Sequence, residues 1–263
     1  MDLGLKNKIA LVTGAGRGIG RAIAIDLAKE GARVVAVSRT PEHLLDTMEE
    51  MGGKTKGHYV VFCDLMEEKA PERVVREAQK YVGDIDIVVN NVGDTLGILD
   101  PFCPLSDWRK VMRINLEIAI EFNNLVIPAM KEKKWGRIVN IASTASLENN
   151  GPITYCSAKA ALLAYSRSLG RVLAPTGIVL SSVIPGAIFT EGGDWDKKLK
   201  ERPEHVERYI RERLPLLKFG DPHEVSGMVV FLCSQLASFC QGAIVPVDGA
   251  QSRHYFGTYT IGD

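Results

Sequence analysis

The 263-residue chain has no net charge: 32 Lys and Arg balance 32 Asp and Glu. No overall field would gather nucleic acid or anionic lipid, so small molecules are the expected partners. Cysteine is sparse. Cys63, Cys103, Cys156, Cys233 and Cys240 form no C-x-x-C pair and are odd in number, and the N-terminus MDLGLKNKIALV lacks a basic head followed by a long apolar run. Both features lead us to expect a reducing, cytoplasmic setting. Long apolar runs are missing too. Residues 85–89 and 178–184 are strand-sized, far short of the ~20 residues that span a bilayer. His43, His58, His205, His223 and His254 show no H-x-x-x-H or H-E-x-x-H spacing, which leaves metal catalysis without support. No G-x-S-x-G elbow flanks Ser143 or Ser157, which removes the usual hydrolase signature. Repeats and low-complexity linkers are likewise absent, so a single domain over 1–263 is expected.

What is present is ordinary globular composition, 46% hydrophobic and 24% charged with 25 Gly and 12 Pro, enough to build one sizeable core. Short β-branched runs at 9–13, 33–37, 59–62, 85–89, 137–141, 179–184 and 243–247 alternate with helical patterns at 18–30, 41–51, 67–82, 105–133, 153–174 and 222–234. This alternation predicts an α/β, doubly wound fold with a seven-stranded parallel sheet and helices on both faces. Residues 191–218 break the rhythm. They follow the sixth strand's C-terminal end, where ligands of such sheets bind, so they read as a substrate lid with Gly192-Gly193 as hinge. Trp195 is then either the apolar group that closes on substrate or a staple packed under the helix.

Thr13-Gly14-Ala15-Gly16-Arg17-Gly18-Ile19-Gly20 lies between a strand and a helix, where backbone N–H groups and a helix N-terminus can meet a pyrophosphate. The second strand ends in Val37-Ser38-Arg39 rather than in the acid that would bind an NAD ribose. Ser38 leaves room for a 2′-phosphate, while Arg39 and Arg17 supply cations, so NADP(H) is the expected cofactor and NAD(H) a weaker alternative. Of the seven tyrosines only Tyr155 has Lys four residues on, which puts phenol and ammonium on one helix face. A nearby Lys159 ammonium would favour the phenolate, making Tyr155 the proton shuttle. Ser143 ends the fifth strand twelve residues earlier, positioned to donate to a carbonyl oxygen, with Ser146 as the competing hydroxyl.

In this order and spacing the motifs resemble those of the short-chain dehydrogenase/reductase family, from about residue 8 to 249, and most nearly its 3-oxoacyl-acyl-carrier-protein reductase-like members. The resemblance implies a Rossmann-type domain and interconversion of a carbonyl and a secondary alcohol by hydride transfer. It implies that Asp64 and Leu65 flank the adenine, and that Asn90 with Gly93 lines the wall behind the adenosine ribose. Lys159 would hold the nicotinamide ribose, Asn115 a proton-relaying water, and Ile188 and Thr190 the carboxamide end. Gly14, Gly18, Ile19 and Gly20 would form the phosphate turn. Val92 and Ala250 depart from the family pattern, which usually has Ala and Gly there. Sugar, polyol, steroid and antibiotic-precursor dehydrogenases share every motif, and a non-catalytic dinucleotide-binding regulator is a remote alternative. Trp108, Val111, Met112, Ile118, Phe122, Leu125, Leu162, Leu163, Leu169 and Val172 exceed what one helix face needs, so partners are expected, and the resemblance implies a homotetramer. The tail residues Tyr255, Phe256 and Tyr259 would cross to a neighbour.

Overall fold

The computed structural model describes residues 1–253, so the expected role of Tyr255, Phe256 and Tyr259 lies outside the described residues. Seven strands form one sheet in the order β3-β2-β1-β4-β5-β6-β7, with every neighbouring pair parallel. They are β1 (Ile9–Thr13), β2 (Arg33–Ser38), β3 (Tyr59–Phe62), β4 (Ile87–Asn90), β5 (Gly136–Ile141), β6 (Ile178–Pro185) and β7 (Ile244–Val247). The helices are α1 (Gly18–Lys29), α2 (Pro41–Glu50), α3 (Ala70–Tyr81), α4 (Leu105–Met112), α5 (Ile118–Lys133), α6 (Ile153–Leu173), α7 (Asp194–Glu201), α8 (Pro203–Arg213) and α9 (Pro222–Cys233).

β1, β4, β5 and β6 are buried along their whole length, which is why they are rich in Val and Ile on both faces rather than alternating with exposed polar residues. Alternate residues of each strand feed two cores. Val12, Ala36, Val89 and Val139 meet α1 and α9 through Ile23, Leu27, Val225 and Val229. Leu11, Val35, Val88 and Ile138 meet α3 and α5 through Val74, Phe122 and Met130 on the other face. The chain winds outward from β1 to β3 and then returns to place β4 on β1's other side. The reversal leaves a crevice beyond the strands' C-terminal ends.

Two expectations are corrected. The single helix expected over 105–133 is interrupted by a wide π-turn at Arg113–Glu117, which departs from the regular i→i−4 bonding. The Asn115 side chain donates to the Val111 carbonyl at 2.9 Å. The insertion at 191–218 holds two helices rather than one, because Pro203 ends the geometry of α7 and starts α8. Half of the ten apolar positions that suggested a second interface are buried within the chain, namely Val111, Ile118, Phe122, Leu162 and Leu163, while Val172 is 66% exposed. At Ala250, where the family usually has Gly, φ is +64°, a left-handed conformation that costs an alanine about 1–2 kcal/mol.

His58 pins the outer edge of the sheet. It is buried, and its Nδ1 accepts from the Val34 amide at 3.1 Å, so the ring is neutral there. Burial lowers its pKa below the ordinary 6.5, and a hydrogen bond with the Met51 backbone only partly opposes this. The unfolded chain therefore takes up a proton at a pH where the folded chain does not, and stability falls as pH drops below the ordinary value. Between about pH 7 and about pH 5.5 the melting temperature is expected to fall more steeply in the unmodified protein than in His58→Gln. Parallel curves would show that His58 contributes nothing to acid lability.

Candidate active site

A cavity of about 580 Å³ runs along the strand ends, from Ser38, Arg39 and Asp64 at one extreme to Ser143, Tyr155 and Trp195 at the other. That volume lies in the range of small-molecule and cofactor sites. Its floor is the Gly-rich turn between β1 and α1. Gly18 has φ +55°, and any Cβ on it would come within 2.8 Å of the Thr190 hydroxyl. At Gly20 a Cβ would lie 2.3 Å from the Gly14 carbonyl, so no side chain fits. Arg17, the residue before α1, gives no side-chain cap to the helix and no acid occupies its first turn, which leaves the N–H groups of that turn for an anion. Thr13 ties the turn to the next motif: its Oγ1 accepts from the amides of Asn91 and Val92 at 2.9 and 3.1 Å.

One end of the cavity is bordered by Ser38, Arg39, Thr40, His43, Asp64 and Leu65. Arg39 is exposed on this rim, beyond the C-terminal end of β2. Arg17 also lines the cleft, but its Nη1 donates to the Gly192 carbonyl at 2.8 Å, so part of the cation expected to serve the cofactor instead joins the turn to the insertion. Gly14, Ile19, Gly93, Ile188 and Thr190 line the same cavity. Asn90 does not. Its side chain is 3% exposed and donates to the Oδ1 atoms of Asn123 and Asn140 at 2.9 and 2.8 Å, which makes it a tie between β4, β5 and α5. The cleft wall expected of Asn90 is furnished by Asn91, whose Nδ2 donates to the carbonyls of Thr13 and Gly14 at 3.0 and 3.3 Å. His43 and Asn91, with Thr40, Cys63, Met66, Ile114 and Ile141, are among the lining residues that the sequence reading did not assign.

At the other end, β5 and α6 converge. Ser143 caps the short turn Thr144–Ser146, its Oγ accepting from the Ala145 amide at 3.2 Å, and it lines the cavity together with Tyr155, near enough to favour the phenolate. The rival Ser146 is 8% exposed and donates instead to the Ser143 carbonyl. Lys159 is 2% exposed; its Nζ donates to the Ile141 carbonyl at 2.8 Å and lies 5.8 Å from the centre of the Tyr155 ring. Burial draws the Lys159 ammonium down to about 8. The Tyr155 phenol moves the other way, to about 12: burial is the main cause, Asp94 and Cys156 add to it, and the Ser143 side chain opposes it. The expectation that Lys159 favours the phenolate is thus not met by the protein alone, which holds Tyr155 as a neutral donor.

Gly93 explains how these atoms fit together. A Cβ there would lie 2.7 Å from Asn115 Oδ1 and 2.8 Å from Lys159 Nζ, so only glycine leaves both polar atoms against the same stretch of backbone. Asn115 is buried. Its Oδ1 accepts from the Asp94 amide at 3.2 Å and its Nδ2 donates to the Asp94 carbonyl at 2.7 Å.

Trp195 lines the cavity and also packs on Tyr209 and Phe219, with ring centroids 4.3 and 4.9 Å apart. Gly192, the expected hinge, is held from both sides: its carbonyl by Arg17 and its amide by Asp196 Oδ2 at 2.8 Å. Among the described residues no cluster of His, Cys, Asp and Glu could hold a metal, and no helix is long and apolar enough to cross a membrane.

A family model described as enoyl-(acyl carrier protein) reductase matches residues 14–250. The chain is 36% identical to the 3-oxoacyl-[acyl-carrier-protein] reductase FabG of Aquifex aeolicus, over 95% of this chain and 99% of that protein. It is 33% identical to the (2S)-[(R)-hydroxy(phenyl)methyl]succinyl-CoA dehydrogenase subunit BbsD of Thauera aromatica, covering 95% and 98%. Its fold is similar to L-sorbose reductase from Gluconobacter frateurii complexed with NADPH and L-sorbose, with a TM-score of 0.87, 29% identity and coverage of 95% and 98%. With a cleft built on the strand ends, and with sequence relatives and a solved structure matched over nearly all of its length, the chain belongs to the short-chain dehydrogenase/reductase family and is 3-oxoacyl-[acyl-carrier-protein] reductase-like.

Proposed function

We propose that the protein is an NADP(H)-dependent oxidoreductase that interconverts a carbonyl and a secondary alcohol, with 3-oxoacyl thioesters the first substrates to consider. The observation that carries this reading is that Ser143, Tyr155 and Lys159 line one cavity with an uncapped helix N-terminus and Arg39. The cofactor fits the residues present. The phosphate turn accepts no further atoms on its glycines, the first turn of α1 offers unsatisfied N–H groups, and Ser38 with Arg39 suits a phosphate rather than a bare ribose.

Gly14, Gly18, Ile19 and Gly20 would hold the pyrophosphate, Ser38 and Arg39 the 2′-phosphate, Asp64 and Leu65 the adenine, and Ile188 and Thr190 the carboxamide. The reduced nicotinamide, when bound, supplies the hydride. The protein's own residues do the rest. Ser143 orients the substrate's carbonyl oxygen and steadies the charge that develops on it. Tyr155 donates the proton from Oη to the substrate's carbonyl oxygen as the hydride arrives, the phenolate left behind takes a proton back from the Lys159 ammonium, and Lys159 is resupplied from solvent through a water that Asn115 would hold. Residues 191–218 serve as the substrate lid, with Trp195 shielding the reacting carbon from water. Cytoplasmic location follows from the reading of the cysteines. A homotetramer is the assembly favoured by resemblance, and Ile153 and Val172 are exposed apolar residues of α6 that such a contact would cover.

NADPH oxidation followed by absorbance, over a panel of oxoacyl thioesters, sugars and cyclic ketones, tests the activity itself. Tyr155→Phe removes the proton donor but keeps the ring, so turnover should drop by at least about 100-fold with NADPH affinity little changed. Near-normal turnover would remove Tyr155 from the role. Arg39→Asp should reverse the cofactor preference, since one charge-assisted contact is worth ~1.5–3 kcal/mol. Equal Michaelis constants for NADPH and NADH in the unmodified protein would contradict the assignment of Arg39.

A further inference from the structure

The cleft is electrostatically two-ended. Its exposed cations, Arg17 and Arg39, stand with the Gly-rich turn and β2, where an anionic cofactor is expected. At the Tyr155 end two carboxylates line the cavity, Asp94 and Asp194. Asp194 is neutralised by Lys198 at 2.6 Å. Asp94 takes part in none of the ion pairs among the described residues; its Oδ1 accepts from the Leu96 amide at 3.0 Å. The one cation beside it in the lining, Lys159, is withdrawn into the protein and committed to the Ile141 carbonyl at 2.8 Å.

Asp94 is also held in place. The Asn115 side chain clasps its backbone at both the amide and the carbonyl, so the same residue that stabilises the π-turn fixes the start of the 94–96 loop. The field of the carboxylate reaches the reacting end, because it is among the causes that raise the Tyr155 phenol. Asp94 is exposed where it lines the cavity, so any group bound next to Ser143 and Tyr155 faces a carboxylate without an ion-pair partner, at a strength that water and salt moderate.

We propose that Asp94 is a specificity-determining residue that turns away substrates bearing a carboxylate or phosphate close to the reacting carbonyl, so that the substrate class is uncharged ketones, thioester-linked ones included. The inference rests on the reading of the chain as a carbonyl reductase. It goes beyond that reading because shared motifs do not choose among ketones. A thioester carries no charge beside its 3-oxo group, whereas the corresponding free acid does.

Ethyl acetoacetate and acetoacetate present the same ketone with and without the charge, and both can be offered to the protein with NADPH. The ester should show kcat/KM at least roughly tenfold above the acid, the equivalent of one pK unit of charge interaction. Asp94→Asn should narrow that gap by lowering KM for the acid, and Asp94→Lys should invert the preference. A ratio that is the same in the unmodified protein and in Asp94→Asn overturns the proposal. If neither ketone is turned over, the reductase reading is decided by the wider substrate panel. Competition of the two compounds against the fluorescence of bound NADPH then decides for Asp94. Tighter binding of the ester, lost in Asp94→Asn, supports its role, and equal binding overturns it.

Discussion

One buried ammonium organises the site. Lys159 sits at 2% exposure with its Nζ on the Ile141 carbonyl, and none of the ion pairs among the described residues supplies it with a carboxylate. Removing a charge from water without a counter-ion is costly, and the cost appears as the lowered affinity of Lys159 for its proton. Much nearby structure accommodates that placement. Gly93 is bare because a Cβ would strike both Lys159 and Asn115. The π-turn in the helical segment after β4 carries Asn115, whose amide is spent on the backbone of Val111 and Asp94. α6 is drawn against the end of β5, which brings Tyr155 to Ser143.

From that point the cleft follows the polarity of the strands. All seven run in one direction, so every loop that carries chemistry emerges at the same edge. The phosphate turn meets the segment after β6 directly, through the near contact of Gly18 with Thr190 and the bond from Arg17 to Gly192. The Gly-rich turn and the 191–218 insertion are therefore joined by a guanidinium. Trp195 belongs to both worlds, packed on Tyr209 and Phe219 while facing the cavity.

Much of this was legible in the sequence because the relevant spacings are local. Tyr155 and Lys159 share a helix face by the i, i+4 rule, Ser143 ends a strand run, and the Gly-rich turn sits between a strand and a helix. The parts that were not legible depend on tertiary contacts. Asn90 and Asn91 differ by one residue at the end of β4, and alternation sends one into the interior toward Asn140 and the other to the cleft. The apolar pattern over 105–133 continues through the π-turn, so periodicity could not reveal it. The direction of the Tyr155 shift depends on burial and on Asp94, not on the nearness of Lys159 alone. The bond that diverts Arg17 to Gly192 links residues 175 positions apart.

The central claim, that an unpaired buried Lys159 ammonium underlies the geometry, is tested most directly by following the side-chain nitrogen resonances of isotope-labelled lysine across pH in the ligand-free protein. The account predicts one lysine that titrates near 8, well below the ordinary 10.5, and that is missing from Lys159→Met. A spectrum in which every lysine titrates near the ordinary value would contradict it.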